Sequence, residues 1–373
     1  MRGRGCASFY AIEPAGYICV DGKQATLDPG DATYQAVKKF APQLDQAEPH
    51  AYGESLGAER ARVVAQAPLE LPELPASFHE TRRQVLPLST VAYVREPRLS
   101  ASDWLLTADL LWVPRARVTP YPEVTFHGIE LGETALPVAF FRKEGALKYR
   151  KDETGKLRKS DATFALHALV PLDAEPQVQH GERYFRVRGA DDYVREIEAV
   201  LPSPQTRTPW NARVGEEDRT GRAPKNARHT WLEVSVQGGW LIAYEGTRAV
   251  YATLVSPGRG GLPAPGVDPL VTAATPLGTF PISGKLATIT LESPGEYVHA
   301  DVPWTQNFEK PYAIHTAYWH DNWGNPQSGG CINVSPIDGK WLFEFSEPAL
   351  PEGWHAVRWR PELGAPTILV IHQ

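Results

Sequence analysis

Beyond residue 228 apolar and polar positions alternate with a period of two, the mark of strands with one face buried. Trp231 to Val236 reads as one strand, and Gly238-Gly239 turns it into Trp240 to Tyr244. Glu245-Gly246 turns again into Ala249 to Val255, so the three segments form a β-meander. A Gly- and Pro-rich loop from Pro257 to Asp268 follows. Thr275-Pro276-Leu277-Gly278-Thr279-Phe280 then leads into a strand pair that runs to Leu291. Val357 to Trp359 and Thr367 to Ile371 read as the closing strands. One late helix interrupts them. Ser335 suits its N-cap, Pro336 its first position and Asp338 its first turn, near the positive end of the helix dipole. Ile337, Trp341, Leu342 and Phe345 are expected to form its buried stripe.

Before residue 206 the apolar runs are shorter and are broken by Pro and Gly. A helix is expected from Thr33 to Phe40, with Tyr34, Val37 and Phe40 on one side. Two segments resemble each other. Asp103-Trp104-Leu105-Leu106 precedes an Ala108-Asp109 turn, an aromatic-Val strand at Trp112-Val113 and a Pro120-Tyr121-Pro122 stop. Arg183 to Val187 precedes Ala190-Asp191, then Tyr193-Val194 and Pro202-Ser203-Pro204. Each resembles the closing hairpin of a bacterial SH3-like barrel, and two generic hairpins remain the alternative. From Thr206 to Arg228 the chain turns polar and aperiodic and reads as a linker. The expected organisation is therefore 1–130 and 131–205 as β-rich, SH3-like modules, 206–227 as linker and 228–373 as a separate domain. Few contacts should cross such a linker, so the last domain should fold without the first 205 residues.

Composition narrows the function classes. The 373 residues are 42% hydrophobic and 22% charged, which excludes wholesale disorder. No apolar run reaches the roughly 18 residues that a spanning helix needs. A net charge of −6 argues against a nucleic-acid binder. With 34 Pro, 31 Gly and 11 Trp, the composition suits short strands joined by turns, so the fold class is mainly β. The 3 cysteines lack the paired spacing of a zinc site, and no metal is expected. Either Cys6 and Cys19 pair, leaving Cys331 free, or all stay reduced. Two Arg residues near the start precede no apolar segment, so no signal peptide is visible.

The chemistry concentrates in Ile314-His315-Thr316-Ala317-Tyr318-Trp319-His320 and Gln327-Ser328-Gly329-Gly330-Cys331-Ile332-Asn333. A thiol near pKa 8.5 is only a few per cent thiolate at neutral pH, and an imidazole that takes its proton activates it. Gly329 and Gly330 leave room for a carbonyl. Their N–H groups, with that of Cys331, are expected to converge on a developing oxyanion. A buried structural Cys beside a hydrogen-bonded His is the competing reading.

Residues from about 228 to 345 resemble the YkuD-type L,D-transpeptidase catalytic domain. That family has a His, a variable stretch, then Ser/Thr-His-Gly-Cys, an apolar residue and Asn or Arg; His315, Ser328, Gly330, Cys331, Ile332 and Asn333 fill those places. Leu241 to Gly246, Thr275 to Phe280 and Asp301-Val302-Pro303-Trp304 add further matches. The resemblance implies a β-sandwich or barrel with one late helix. It also implies that Cys331 attacks a peptidoglycan tetrapeptide stem, expelling D-alanine and leaving an acyl-enzyme. An amine then makes a 3→3 cross-link, or water trims the stem. His315 would be the base, oriented by the carbonyl of Thr316, with Ser328 and Asn333 bracing the Cys loop. Tyr318, Trp319, His320, Tyr297 and Trp304 either line the substrate cleft or pack as aromatic clusters. No cofactor is implied, carbapenems are candidate covalent ligands, and the site of action is the periplasm or cell envelope. Gly329 departs from the pattern, because the family places His there. That departure keeps a second reading open, a catalytically weakened or inactive wall-binding scaffold. A papain-like protease fits poorly, since its Cys precedes its His.

Overall fold

The structure, a computed structural model, describes residues 6, 8–12, 17–21, 25–56, 60–63, 79–95, 103–132, 136–293 and 297–373. The basic residues of the extreme N-terminus lie outside the described residues. Among the described residues, no helix is long and apolar enough to cross a membrane. Cys6 and Cys19 form a disulfide, and Cys331 is free.

The chain divides into two compact units, one made of 1–123, 288–302 and 351–354, the other of 124–287, 303–350 and 355–373. In the first, helix α1 (Ala32–Lys38) is capped by Asp31, whose carboxylate accepts the N–H of Tyr34. It buries none of its own residues, because the helix stops before Phe40. Phe40 alone reaches the core, against Leu106 and Trp112, while Tyr34 is exposed.

The two similar sequence segments fold with one pairing scheme. In the first unit, strand Ala51–Ser55 pairs with both Thr90–Tyr93 and Val118–Pro120, while Trp112–Pro114 pairs with Trp104–Leu106 and Arg60–Val63. In the second, Val138–Phe140 pairs with Leu169–Pro171 and Phe140 bridges to Val200; Tyr193–Arg195 pairs with Glu182–Arg186 and Ala146–Lys151. A single 3-10 turn precedes the last pairing in each, at Arg115–Arg117 and Glu196–Glu198.

Two further sheets follow, in the second unit except for residues 288–293 and 297–302, which belong to the first. The six-stranded sheet takes β1 (Ile129–Glu130), β2 (Thr230–Ser235), β3 (Trp240–Glu245), β4 (Arg248–Leu254) and β5 (Gly278–Pro281). The five-stranded sheet takes β6 (Gly284–Ser293), β7 (Tyr297–Glu309), β8 (Tyr312–Thr316), β9 (Ile332–Val334) and β10 (Ala356–Arg358), and β11 (Ile368–His372) returns to the first sheet between β2 and β5. A one-turn helix, α2 (Pro269–Thr272), precedes β5, and α3 (Pro336–Phe345) follows β9. Leu232, Leu241 and Tyr251 from one sheet meet Ile314, Ile332 and Val334 from the other, with Leu342 and Phe345 of α3 closing the core. Ser335 accepts the N–H of Asp338 as the cap requires. The buried stripe of α3 differs from expectation: Ile337 is exposed and Asp338 takes the inward place.

Every residue of β2 is buried, so its sheet is covered on both faces. The outer cover is the stretch 206–227, which the sequence presents as a polar linker. Trp210 packs edge-to-face on Trp231, 6.4 Å between centroids, and joins Ala212, Val138, Phe140 and Ile242 in one apolar cluster. The N–H of Gln205 donates to buried Glu233 at 3.0 Å, which anchors the entry to this stretch. Most of its polar residues face water while Trp210, Ala212, Val214 and Ala223 pack into the apolar cluster, a split that composition alone averages away. Here, then, the segment is a packed cover and not a tether.

Candidate active site

β8 and β9 run parallel, with His315 opposite Asn333. Side chains alternate across a strand, so Ala313 and His315 share one face of β8, and Cys331, just before β9, shares the matching face with Asn333. Ile314, Ile332 and Val334 turn the other way, into the core. Two stretches distant in sequence thereby present an imidazole and a thiol on one side of the sheet.

The Cys loop is held from several directions. Ser328 Oγ donates to the carbonyl of Cys331 and accepts the N–H of Gly330 at 3.0 Å. Thr275 Oγ1 donates to the carbonyl of Gly330 at 3.0 Å and accepts the N–H of Gly258 at 2.8 Å. The N–H groups of Gln327 and Ser328 both donate to the carbonyl of Pro257. One expectation changes: the N–H of Gly330 is committed to Ser328 and does not join an oxyanion cradle with its neighbours. Gly330 has φ +128°, and a Cβ there would sit 2.6 Å from the Tyr312 ring and 2.9 Å from the carbonyl of Ala274. Gly329 is exposed, and a Cβ there would meet nothing within 4 Å. Sterics therefore demand glycine at 330 and leave 329 free for a side chain.

His315 is buried, and burial pushes its pKa down to about 4, with nearby His320 acting in the same direction and the Thr316 carbonyl opposing it. It is therefore neutral at pH 7. Its Nδ1 lies 3.0 Å from the carbonyl of Thr316, which places the proton there and the lone pair on Nε2. Asn333 Nδ2 donates to that Nε2 at 3.1 Å. Asn333 Oδ1 is 3.3 Å from His320 Nε2, and His320 Nδ1 accepts the N–H of Asn322 at 3.3 Å. One chain of hydrogen bonds thus sets both tautomers and the amide orientation. Burial raises the Cys331 thiol pKa, against a backbone hydrogen bond from Ala313. Among the described residues no hydrogen bond joins Cys331 to His315. The arrangement at rest is a neutral thiol beside a neutral imidazole whose free nitrogen is already occupied.

The expected lining residues separate. Trp319 stays beside the imidazole, 5.9 Å between ring centroids, and His320 is joined to it through Asn333. Tyr318 is 1% exposed and packs edge-to-face on Trp319, so it is core. Trp304 is likewise buried, against Phe343 at 5.2 Å and beneath Lys340. Tyr297 belongs to the first unit, beside His299. Two residues near the loop carry no simple sequence signal for their placement. Thr275 sits inside a noted segment but braces a loop far away in sequence, and Tyr312 lies against Gly330 with its hydroxyl buried and unpartnered among the described residues. Among the described residues no group of three or more His, Cys, Asp or Glu is placed to hold a metal.

The family model for the L,D-transpeptidase catalytic domain (YkuD) matches residues 229–357. YciB of Bacillus subtilis (strain 168), whose L,D-transpeptidase assignment is itself inferred, is 25% identical over 166 residues, covering 40% of this chain and 76% of that protein. An Enterococcus faecium L,D-transpeptidase structure is 20% identical with a TM-score of 0.28, covering 38% of this chain and 49% of its own. A structure from Xylanimonas cellulosilytica DSM 15894 is 22% identical with a TM-score of 0.28, covering 40% and 62% respectively. This chain thus spans about half to three-fifths of those two solved structures. The matched stretch contains the Cys loop and His315 together, and residues 229–357 are an L,D-transpeptidase (YkuD) catalytic domain.

Proposed function

We propose that the protein is a cysteine-dependent L,D-transpeptidase of the cell envelope that acts on peptidoglycan stem peptides. The observation that carries this reading is the parallel register of β8 and β9, which sets His315 and Cys331 on one face with the imidazole tautomer fixed by Thr316. In the reaction, Cys331 Sγ bonds to the stem carbonyl carbon as its proton passes to His315 Nε2. The tetrahedral oxyanion then collapses and expels D-alanine, which takes the proton from His315. Transfer of the acyl group to an amine forms the cross-link, and transfer to water trims the stem. Because burial holds the thiol protonated, the proton has to move during attack, and Asn333 Nδ2 has to release Nε2 first. Thiol, imidazole and backbone amides supply the steps. The Cys6–Cys19 disulfide is in keeping with an oxidising compartment.

One observation favours the second reading, an inactive wall-binding scaffold: Asn333 occupies the nitrogen that the thiol needs. Intact-protein mass spectrometry after incubation with a carbapenem or a tetrapeptide donor separates the two. An enzyme gains an adduct that maps to Cys331 and disappears in Cys331→Ala, whose Tm stays within a few degrees of wild type. Absence of any adduct across donors and pH values would leave the scaffold.

A further inference from the structure

The second β-module carries a groove of about 720 Å³ where the end of strand Ala146–Lys151 meets the turn between Glu182–Arg186 and Tyr193–Arg195. Arg150, Lys151, Arg186 and Tyr193 line it, together with Asp191 and Asp192. The two carboxylates do not cancel the cations. Asp192 is spent inside the module, where Lys148 Nζ donates to it at 2.9 Å and Arg150 Nε at 2.6 Å. Asp191 is 94% exposed on the turn and meets one cation, Arg186, at 3.1 Å. With Lys148 counted, four cations stand against two carboxylates, on a chain whose net charge is −6. Each guanidinium is anchored through Nε, Arg150 to Asp192 and Arg186 to the carbonyl of Ala190 at 2.9 Å. Both Nη groups of Arg150 and Nη1 of Arg186 have no acceptor among the described residues. Lys151 Nζ lies 5.3 Å over the Tyr193 ring and forms no ion pair among the described residues.

We infer that this groove is a binding site for a phosphate group, with Arg150 and Arg186 taking its oxygens and Lys151 adding a third positive charge. Anchored guanidinium groups with unsatisfied N–H donors are suited to oxyanions, because little ordering remains to be done when the ligand arrives. A carboxylate offers two oxygens and one charge, which a single guanidinium fork satisfies; three separate cations suit the larger charge and additional oxygens of a phosphate. The groove also exceeds a phosphate in volume, which leaves space beside Tyr193 for the group that carries it. An incoming phosphate competes with Asp191 for Arg186. The site shares no residue with the Cys331 loop and stands or falls apart from the transpeptidase reading.

Calorimetric titration of the full chain at pH 7 and low salt tests the site, with inorganic phosphate and a glycerol phosphodiester oligomer as probes and succinate as the carboxylate control. At least one phosphate probe should bind at least tenfold more tightly than succinate. Arg150→Gln, which leaves Lys148 on Asp192, should weaken that probe at least tenfold. Lys151→Gln removes a cation that has no carboxylate partner among the described residues, so it spares the fold and should weaken the probe at least fivefold. Asp191→Asn removes the competitor for Arg186 and should tighten binding at least threefold. Tighter binding of the oligomer assigns the phosphate to a polymer, and tighter binding of inorganic phosphate assigns it to a small molecule; both results keep the site. No binding of either probe, equal binding of succinate, or undiminished binding in both Arg150→Gln and Lys151→Gln overturns the inference. Weaker binding in Asp191→Asn overturns it as well, because the ligand would then be using the carboxylate.

Discussion

Asn333 Nδ2 donates to His315 Nε2 at 3.1 Å, so the nitrogen that would deprotonate Cys331 is satisfied by a neighbour in the adjoining strand. A base with pKa near 4 and a thiol raised by burial both resist charge at rest. In the proposed reaction a bound acyl donor would have to displace the amide. Asn333→Ala should speed iodoacetamide alkylation of Cys331 at pH 7 several-fold by freeing Nε2, while lowering turnover with peptide because the imidazole loses its alignment. Slower alkylation in Asn333→Ala would show that the amide supports the base.

The adjacent glycines should respond in opposite ways. Gly330→Ala forces a Cβ to 2.6 Å from the Tyr312 ring in a backbone conformation that L-residues rarely adopt, so it should cost about 1–3 kcal/mol and disorder the Cys loop. Gly329→Ala meets nothing within 4 Å and should stay within about 0.5 kcal/mol of wild type. Urea unfolding of the pair checks this; equal losses would mean that the loop is not built as described.

Stability should fall with acid in a window set by the buried imidazoles. His315 has an ordinary pKa of 6.5 and about 4 when folded, so between those values the unfolded chain binds more protons. Its contribution is full above about pH 6.5 and lost as pH falls through 4, amounting to about 3 kcal/mol. His320 and His167 shift in the same direction, each mainly through burial. Unfolding free energies at pH 7.5 and 4.5 should differ accordingly, and the difference should shrink in His315→Gln. An unchanged difference would assign the acid sensitivity elsewhere.

Asp338 ties two separate segments, the turn at Gly128 and strand β4, to α3. Its carboxylate accepts the N–H of Gly128 at 2.8 Å and the hydroxyls of Tyr251 at 2.6 Å and Thr253 at 2.5 Å, all away from water. Asp338→Ala strands those donors and should cost about 3–5 kcal/mol, read as a drop in Tm. A loss below 1 kcal/mol would mean that water takes over the vacated site.

A fragment beginning at Gly221 should be insoluble. It lacks β1, which pairs with β4, and the Gly128 donor to Asp338. It also uncovers Trp231, Ile242 and Leu254 by removing Phe140, Trp210 and Ala212. Solubility and a cooperative melt would show that the sheet can do without that cover.

The meander and the Ser335-Pro336 helix start were legible because each is carried by local signals: period-two alternation and a cap residue. What escaped depends on partners far away in the chain. Trp210 is one aromatic in a polar stretch, and only the bare outer face of β2 turns it inward. Asp338 reads as a dipole-favoured first-turn acid, yet it faces in because Gly128, Tyr251 and Thr253 supply donors there. Tyr318 and Trp319 are neighbours of similar character in the turn after β8, and only tertiary packing sends one to the core and leaves the other beside the imidazole. The shared pairing scheme of the two similar segments was visible only in their closing hairpins, because their first strands pair with partners far along the chain.

The chain's order of synthesis conflicts with its order in space. The first unit draws on 288–302 and 351–354, and the six-stranded sheet of the second receives β11 as an interior strand. A polypeptide emerging from its N-terminus can therefore close neither unit until nearly all of it has been made, and both must assemble in the final moments. A product cut short before Ile368 would lack that interior strand and present the exposed edges of β2 and β5 to other chains, a template for aggregation in place of a smaller working enzyme.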